Sequence, residues 1–197
     1  MKADAFALLE LPRRASLSVE EVRSAFQRRG AVLHPDGTGN DERAQRTEDF
    51  TALNEAHAIL GSLPRRLRHL LELEYPRVAA AKAGAVMDGE MMTLFSMVGG
   101  AVQLAASVQA RKVKASTALS RAMLAGEEIQ AQEKLEAATE QVETVRESLE
   151  AELMELDALR ESGGDAAGRL QSCAARAGFL EKWQAQLRGA FAGFFGG

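Results

Sequence analysis

Cysteine is almost missing from this chain: Cys173 stands alone among 197 residues. A single thiol excludes an intramolecular disulfide and any zinc or iron–sulfur site built on cysteine. On an apolar helical face it reads as core filler rather than as a nucleophile, and it suits the reducing cytoplasm, where the protein is expected. Histidine is scarce as well. His34, His57 and His69 have no partners at ligand spacing, so no metal and no other cofactor is expected. There is no Gly-rich phosphate loop and no nucleophile–base pair at a recognisable spacing, which argues against an enzyme. Aromatic residues make up 5% of the chain, too few for a typical sheet-based core. Excess positive charge is absent too: a net charge of −4 offers no field to gather nucleic acid, and none is expected as a partner. Met1 to Glu10 has no basic stretch followed by an apolar run, so no signal peptide is expected.

What the chain has in quantity is helix former. Hydrophobic residues reach 46%, enough for a packed core, and Ala, Leu, Glu and Gln dominate, so the expected class is all-α. Asp4 to Glu10 reads as a short helix with Phe6, Leu8 and Leu9 apolar, stopped by Pro12. Ser18-Val19-Glu20-Glu21 is a capping box that opens a second helix to about Leu33, with Val22, Ala25, Phe26 and Leu33 on one stripe. His34 to Asp41 is dense in turn formers and must be a loop. A third helix runs from about Asp41 to Leu60, with Phe50, Leu53, Ala56 and Leu60 at helical spacing. Gly61 and Pro64 end it, and a fourth continues through about Tyr75. Two long helices joined by a turn-rich loop pack most naturally as an antiparallel hairpin.

Residues 77–90 read as a linker between this domain, 1–76, and a second one over 91–197. Met91 to about Gly126 is helical by pattern, with a break expected near Gly99-Gly100 because each interior glycine costs about 1 kcal/mol. The segment 127–162 carries Leu135, Ala138, Val142, Val145, Leu149, Leu153 and Leu156 along one stripe. Between Glu127 and Glu161 twelve acids face only Lys134, Arg146 and Arg160, the signature of a solvated helix face. Ser162-Gly163-Gly164-Asp165 ends that helix and caps the next, whose apolar face is Leu170, Cys173, Ala177, Leu180, Leu187 and Phe191. Two such stripes joined by a short turn fold back, and 91–108 supplies a third member, giving a three-helix bundle. A parallel self-associating coiled coil over 127–160 is the alternative, and the oligomeric state stays open. Met91 to Ala110 is uncharged and long enough to span a membrane, but Thr93, Ser96, Gln103, Ser107 and Gln109 dilute its apolarity. Whether that segment and the Phe-rich tail from Phe191 are core, interface or membrane contact is left open.

The tripeptide His34-Pro35-Asp36 is the feature that carries function. It lies in the loop between the two expected antiparallel helices, after a helix bearing Arg23, Arg28 and Arg29 and no acid from Val22 to Leu33. Phe50 to Leu60 follows, reading Phe-Thr-Ala-Leu-Asn-Glu-Ala-His-Ala-Ile-Leu. This arrangement, over about residues 3–76, closely resembles the J-domain of the DnaJ family. The resemblance implies a co-chaperone that presents its His-Pro-Asp loop to a DnaK-type chaperone and stimulates that chaperone's ATPase. It assigns the chaperone contact to His34, Pro35 and Asp36, with Arg23, Arg28 and Arg29 as the electrostatic face. Pro35 stiffens the loop, Asp36 offers a carboxylate for a charge-assisted bond, and the arginines would speed encounter more than they add affinity. Gly37 and Val32 stand where family members usually carry lysine.

A finer resemblance is to the HscB (Jac-type) branch, which serves iron–sulfur cluster assembly. It rests on Phe26-Gln27, on Leu53-Asn54-Glu55-Ala56 with Leu60, on the run Pro64-Arg65-Arg66-Leu67-Arg68-His69-Leu70-Leu71-Glu72-Leu73, and on Gly178-Phe179-Leu180-Glu181-Lys182. The branch implies a J-domain hairpin with short flanking helices followed by a C-terminal three-helix bundle. It also implies that an iron–sulfur scaffold protein is the client, held on an apolar patch built here from Met91, Met92, Leu94, Phe95 and Phe179. The competing reading of those methionines is core filling. The alternative function is a J-domain tethered to a membrane or assembly through 91–110 or the coiled coil, with a different client.

Overall fold

The computed structural model describes residues 3–32, 40–81 and 87–195. Every regular element among them is a helix: α1 (Ala5–Leu8), α2 (Val19–Val32), α3 (Asn40–Gly61), α4 (Leu63–Glu74), α5 (Pro76–Ala80), α6 (Gly89–Lys114), α7 (Ala118–Glu161) and α8 (Ala167–Phe195). Local chemistry sets most of their ends. Asp4 caps α1, its carboxylate accepting from the amides of Phe6 and Ala7. The expected capping box opens α2: the Glu21 amide donates to Ser18 Oγ at 3.1 Å, and the Ser18 amide donates to the Glu21 carboxylate at 2.7 Å. Asp88 caps α6 through the Met91 amide, and Asp165 accepts from the Ala167 amide ahead of α8. At the end of α7, Gly163 takes φ 78°, and the Gly164 amide reaches back to the Leu159 carbonyl at 3.0 Å. A side chain at Gly164 would collide with Leu159, so both glycines are required.

The described residues fall into two compact units. One joins Met1–Gly84 to Glu150–Ala175, and the other joins Ala85–Leu149 to Arg176–Gly197. The N-terminal domain is therefore not closed on residues 1–76 alone; it packs with the turn between α7 and α8. The linker expected over 77–90 is partly ordered as α5.

In the first unit the core is Phe6, Leu9, Leu17, Val22, Ala25, Leu53, Ala56, Leu60, Leu67 and Leu70, all buried. Each fully buried leucine or phenylalanine contributes about 1.5–3 kcal/mol. α2 and α3 run antiparallel: Phe26 stacks on His57 at 4.3 Å between ring centroids, and Gly30 lies against the Phe50 ring. The turn 150–175 adds a polar junction. Asp157 accepts from the Ala15 amide at 2.8 Å, the Ser16 amide at 2.9 Å and the Ser16 hydroxyl at 2.8 Å. Arg160 bonds Asp157 at 2.6 Å, Glu74 at 2.5 Å and the Arg13 carbonyl at 3.0 Å. Burial opposes the charge on Arg160, but Glu74 and Asp157 outweigh it and raise its pKa. Arg66 is buried more deeply. Desolvation pushes its pKa down to about 10 against the pull of Asp157, Glu150 and Glu21, while its Nη1 donates to the Leu60 carbonyl at 3.1 Å.

The second unit is a three-helix arrangement. Its stripe on α6 is Met91, Leu94, Val98, Ala101, Ala105 and Val108, and on α7 it includes Ala131, Leu135, Ala138, Val142, Val145 and Leu149. α8 contributes Ala177, Leu180, Trp183 and Leu187. Polar ties link each pair of helices: Arg111 with Glu127, Gln109 with the Gly193 carbonyl, and Gln184 with Glu143 at 3.1 Å. The break expected at Gly99-Gly100 is not there. Both glycines sit on the exposed side of a continuous α6, where a side chain would meet nothing. Their combined cost of about 2 kcal/mol is smaller than the burial of Met91, Leu94, Val98 and Val108 opposite them, at about 1.5–3 kcal/mol each. The chain breaks at 115–117 instead, where Thr117 and Ser120 bond each other's amides and open α7.

Candidate functional site

The tripeptide His34-Pro35-Asp36 and Leu33 lie outside the described residues. The two helices that flank them are described, and their packing is set by the residues named above. Between them the hairpin is fastened to the rest of the unit through α1. His69 of α4 is buried, and its Nε2 accepts the Ala5 amide at 3.0 Å while its ring stacks on Phe6 at 5.9 Å. That ring thus serves as a hydrogen-bond acceptor at Nε2 that ties α4 to α1.

The expected cationic face of α2 divides. Arg23 and Arg28 are exposed. Arg29 is half-buried and committed within the chain: its Nη1 bonds Glu10 at 2.7 Å and its Nε donates to the Leu8 carbonyl at 3.3 Å. Glu10 itself stands at φ 54°, a left-handed conformation uncommon for a side chain larger than glycine. Arg14 pairs with Glu21 at 2.9 Å and Arg13 with Asp4 at 2.6 Å, so the charges around the start of α2 are largely matched.

The expected client patch also divides, and here the structure corrects the sequence reading. Met91 and Leu94 are 1% and 2% exposed and fill the bundle core, so neither can touch a partner. The reason is register: both fall on the buried α6 stripe with Val98 and Ala101, whereas Met92 and Phe95 fall beside it. Met92 is 59% exposed and Phe95 57%. Phe179 of α8 is half-buried and stacks on Trp183 at 5.7 Å, and Phe95 approaches the same indole at 6.3 Å. Trp183 was not singled out from the sequence. Lying four residues after Phe179 on the same helix, it had the spacing that would have found it. The surface is therefore Met92, Phe95 and Phe179 resting on a buried tryptophan.

Among the described residues no group of three or more His, Cys, Asp or Glu side chains could hold a metal ion. Among the described residues, one concavity of about 490 Å³ opens at the α6–α7 turn and another of about 590 Å³ between acidic residues of α7 and Phe191.

The sequence profile of the DnaJ domain matches residues 4–69, a span that contains the hairpin, the tripeptide and His69. An uncharacterized J domain-containing protein of Schizosaccharomyces pombe is 33% identical over 69 residues, covering 35% of this chain. The match spans 32%, about a third, of that relative's length. Among solved structures, the chaperone HscB from Vibrio cholerae superposes with a TM-score of 0.60 at 18% identity, covering 98% of this chain and 100% of that one. The resemblance to HscB lies in the fold, and the resemblance to the fission-yeast protein lies in the domain. The chain thus carries a match to the DnaJ domain at residues 4–69 and has an all-helical fold like that of HscB.

Proposed function

We propose that this protein is a co-chaperone that stimulates the ATPase of a DnaK-type chaperone and hands it a client held on the C-terminal bundle. The observation that supports it best is the DnaJ-domain match over residues 4–69, a span whose sequence includes His34-Pro35-Asp36 and whose α2 exposes Arg23 and Arg28. On this reading the chain is not itself an enzyme; it biases a conformational equilibrium in a partner that does the chemistry. Arg23 and Arg28 steer the encounter, and Arg29 contributes less because Glu10 already holds it. The bundle supplies the client surface through Met92, Phe95 and Phe179, an apolar patch of adaptable side chains over a rigid indole. The likeness to HscB supports an iron–sulfur scaffold protein as the client and a cytoplasmic site of action.

The test is steady-state ATP hydrolysis by a purified DnaK-type chaperone with added wild-type protein or His34→Gln. Wild type should raise the rate and His34→Gln should not; equal rates would remove the reading. A pull-down with an iron–sulfur scaffold protein should capture wild type and lose about tenfold or more with Phe95→Ser, since truncated hot spots at a packed aromatic patch cost that much. Capture that ignores Phe95 and Phe179 would reject this client surface.

A second reading has one specific observation behind it. α6 is long and apolar enough to cross a membrane, by length and composition, which fits a J-domain tethered through that segment. Against it stands the buried stripe from Met91 to Val108, which packing within the bundle already uses. Fractionation separates the two: an integral membrane pellet favours tethering.

A further inference from the structure

Between Ala110 and Gly126 the chain carries four cations, Arg111, Lys112, Lys114 and Arg121, and no acid, although its net charge is −4. This segment is the turn of the α6–α7 hairpin, since α6 ends at Lys114 and α7 begins at Ala118. Three large apolar side chains stand out of it into water: Val113 is 82% exposed, Leu119 71% and Met123 73%. The cations differ in commitment. Arg111 pairs with Glu127 and Lys112 with Glu128, which ties the two helices together. Lys114 and Arg121 are exposed and take part in no ion pair among the described residues. A concavity of about 490 Å³ opens at the same place, lined by Lys114, Ser116, Thr117, Ser120 and Met123, with the paired Arg111 and Glu127 at its edge.

We propose that this turn is a docking surface for an anionic lipid bilayer. Val113, Leu119 and Met123 enter the interfacial layer, while Lys114 and Arg121 face headgroup phosphates and the hydroxyls of Ser116, Thr117 and Ser120 lie at headgroup depth. Apolar tips ringed by flexible cations and small hydroxyls match the layered polarity of a bilayer surface, with lysine and arginine stems following the apolar side chains inward. The charge pattern also orients the molecule. Within the bundle, seven acids between Glu127 and Leu149 would be repelled by an anionic surface, whereas the turn before them would be attracted to it. Two unpaired cations and three side chains make the contact peripheral and reversible. The proposal does not rest on the chaperone reading.

The experiment is co-sedimentation of the full chain with vesicles of phosphatidylglycerol and phosphatidylcholine, or of phosphatidylcholine alone, at about 0.1 M salt. Wild type should sediment with the anionic vesicles only and be released as salt rises. Lys114→Gln with Arg121→Gln should lower partitioning about twenty-five-fold, at roughly fivefold per cation near an anionic surface. Leu119→Ser with Met123→Ser should lower it about tenfold or more, each serine withdrawing an apolar side chain from the interface. Both pairs change exposed positions, and circular dichroism should show unaltered helix. Equal sedimentation with neutral vesicles, no sedimentation at all, or binding that survives both turn variants and is lost with Phe95→Ser would overturn the proposal. So would capture of an acidic protein by the turn without any binding to vesicles.

Discussion

The unit built on the J-domain and the bundle unit are held together by different chemistry. Arg66, His69 and Asp157, the buried polar side chains among the described residues, all belong to the first unit, whereas the bundle's buried residues are apolar. Directional bonds tie Ala5, Ala15 and Ser16 to single acceptors, so the first unit has one way to assemble. The bundle relies on Leu, Val and Ala stripes, which carry little directional information, and it also leaves Met92, Phe95, Met97, Val113, Leu119, Met123 and Ile129 in water. Buried directional contacts are concentrated in the first unit, and seven of the eleven exposed large apolar side chains among the described residues lie in the second.

The comparison breaks most readily at Asp157. Asp157→Ala removes an acceptor shared by two backbone amides, a hydroxyl and Arg160, and should cost about 3–5 kcal/mol. Native-state hydrogen exchange should show the loss in α1–α4 and much less in α6. A cost below about 1 kcal/mol would mean that the polar junction is ornamental and apolar packing dominates both units. In the bundle the matching cut is Leu135→Ala, at a side chain with 0% exposure. It should cost about 2–5 kcal/mol, read as lost protection in α6 and the adjoining part of α7. Next comes His69→Leu, which keeps the bulk near Phe6 but strands the buried Ala5 amide. Its expected cost is about 1–3 kcal/mol, with exchange of the α1 amides as the readout.

The smallest effect is one of pH. Burial is the strongest influence on Asp4 and raises its pKa, but the Arg13 bond, the Ala7 and Phe6 amides and the Arg13 charge together hold it below the ordinary aspartate value. The Ser18 amide, more than any other group, lowers Glu21. A carboxylate whose pKa is depressed on folding contributes stability above its unfolded value, near 4, and loses it as pH falls through the folded one. Protection of the first turns of α1 and α2 should therefore fall as the solution is acidified below about pH 4. Asp4→Asn with Glu21→Gln should flatten that dependence.

Much of the first unit could be read in advance because its signals are local. The capping box at Ser18, the punctuation at Gly61 and Pro64, and the Gly163-Gly164 stop each act within a few residues. Asp157 could not be read: its bonds to Ala15 and Ser16 span more than a hundred residues, and nothing about an aspartate on an acidic helix marks it as buried. The α6–α7 boundary was missed for a different reason. Gly99-Gly100 is the louder breaker, but the stripe on the opposite face overrides it, and the quieter Thr117 and Ser120 pair sets the true end. Met91 and Met92 show the limit of pattern reading at a site, since one residue of register separates core from surface.

Glu10 and Arg29 give the presented face an economy of charge. An anionic partner that reaches α2 finds Arg29 already engaged at 2.7 Å by a carboxylate on a strained turn. The partner must exchange places with Glu10 rather than form a new pair, so little net attraction is gained. On the proposed reading Arg29 would act as a discriminator: ligands that can displace a neighbouring carboxylate would recruit it, and those that cannot would meet only Arg23 and Arg28.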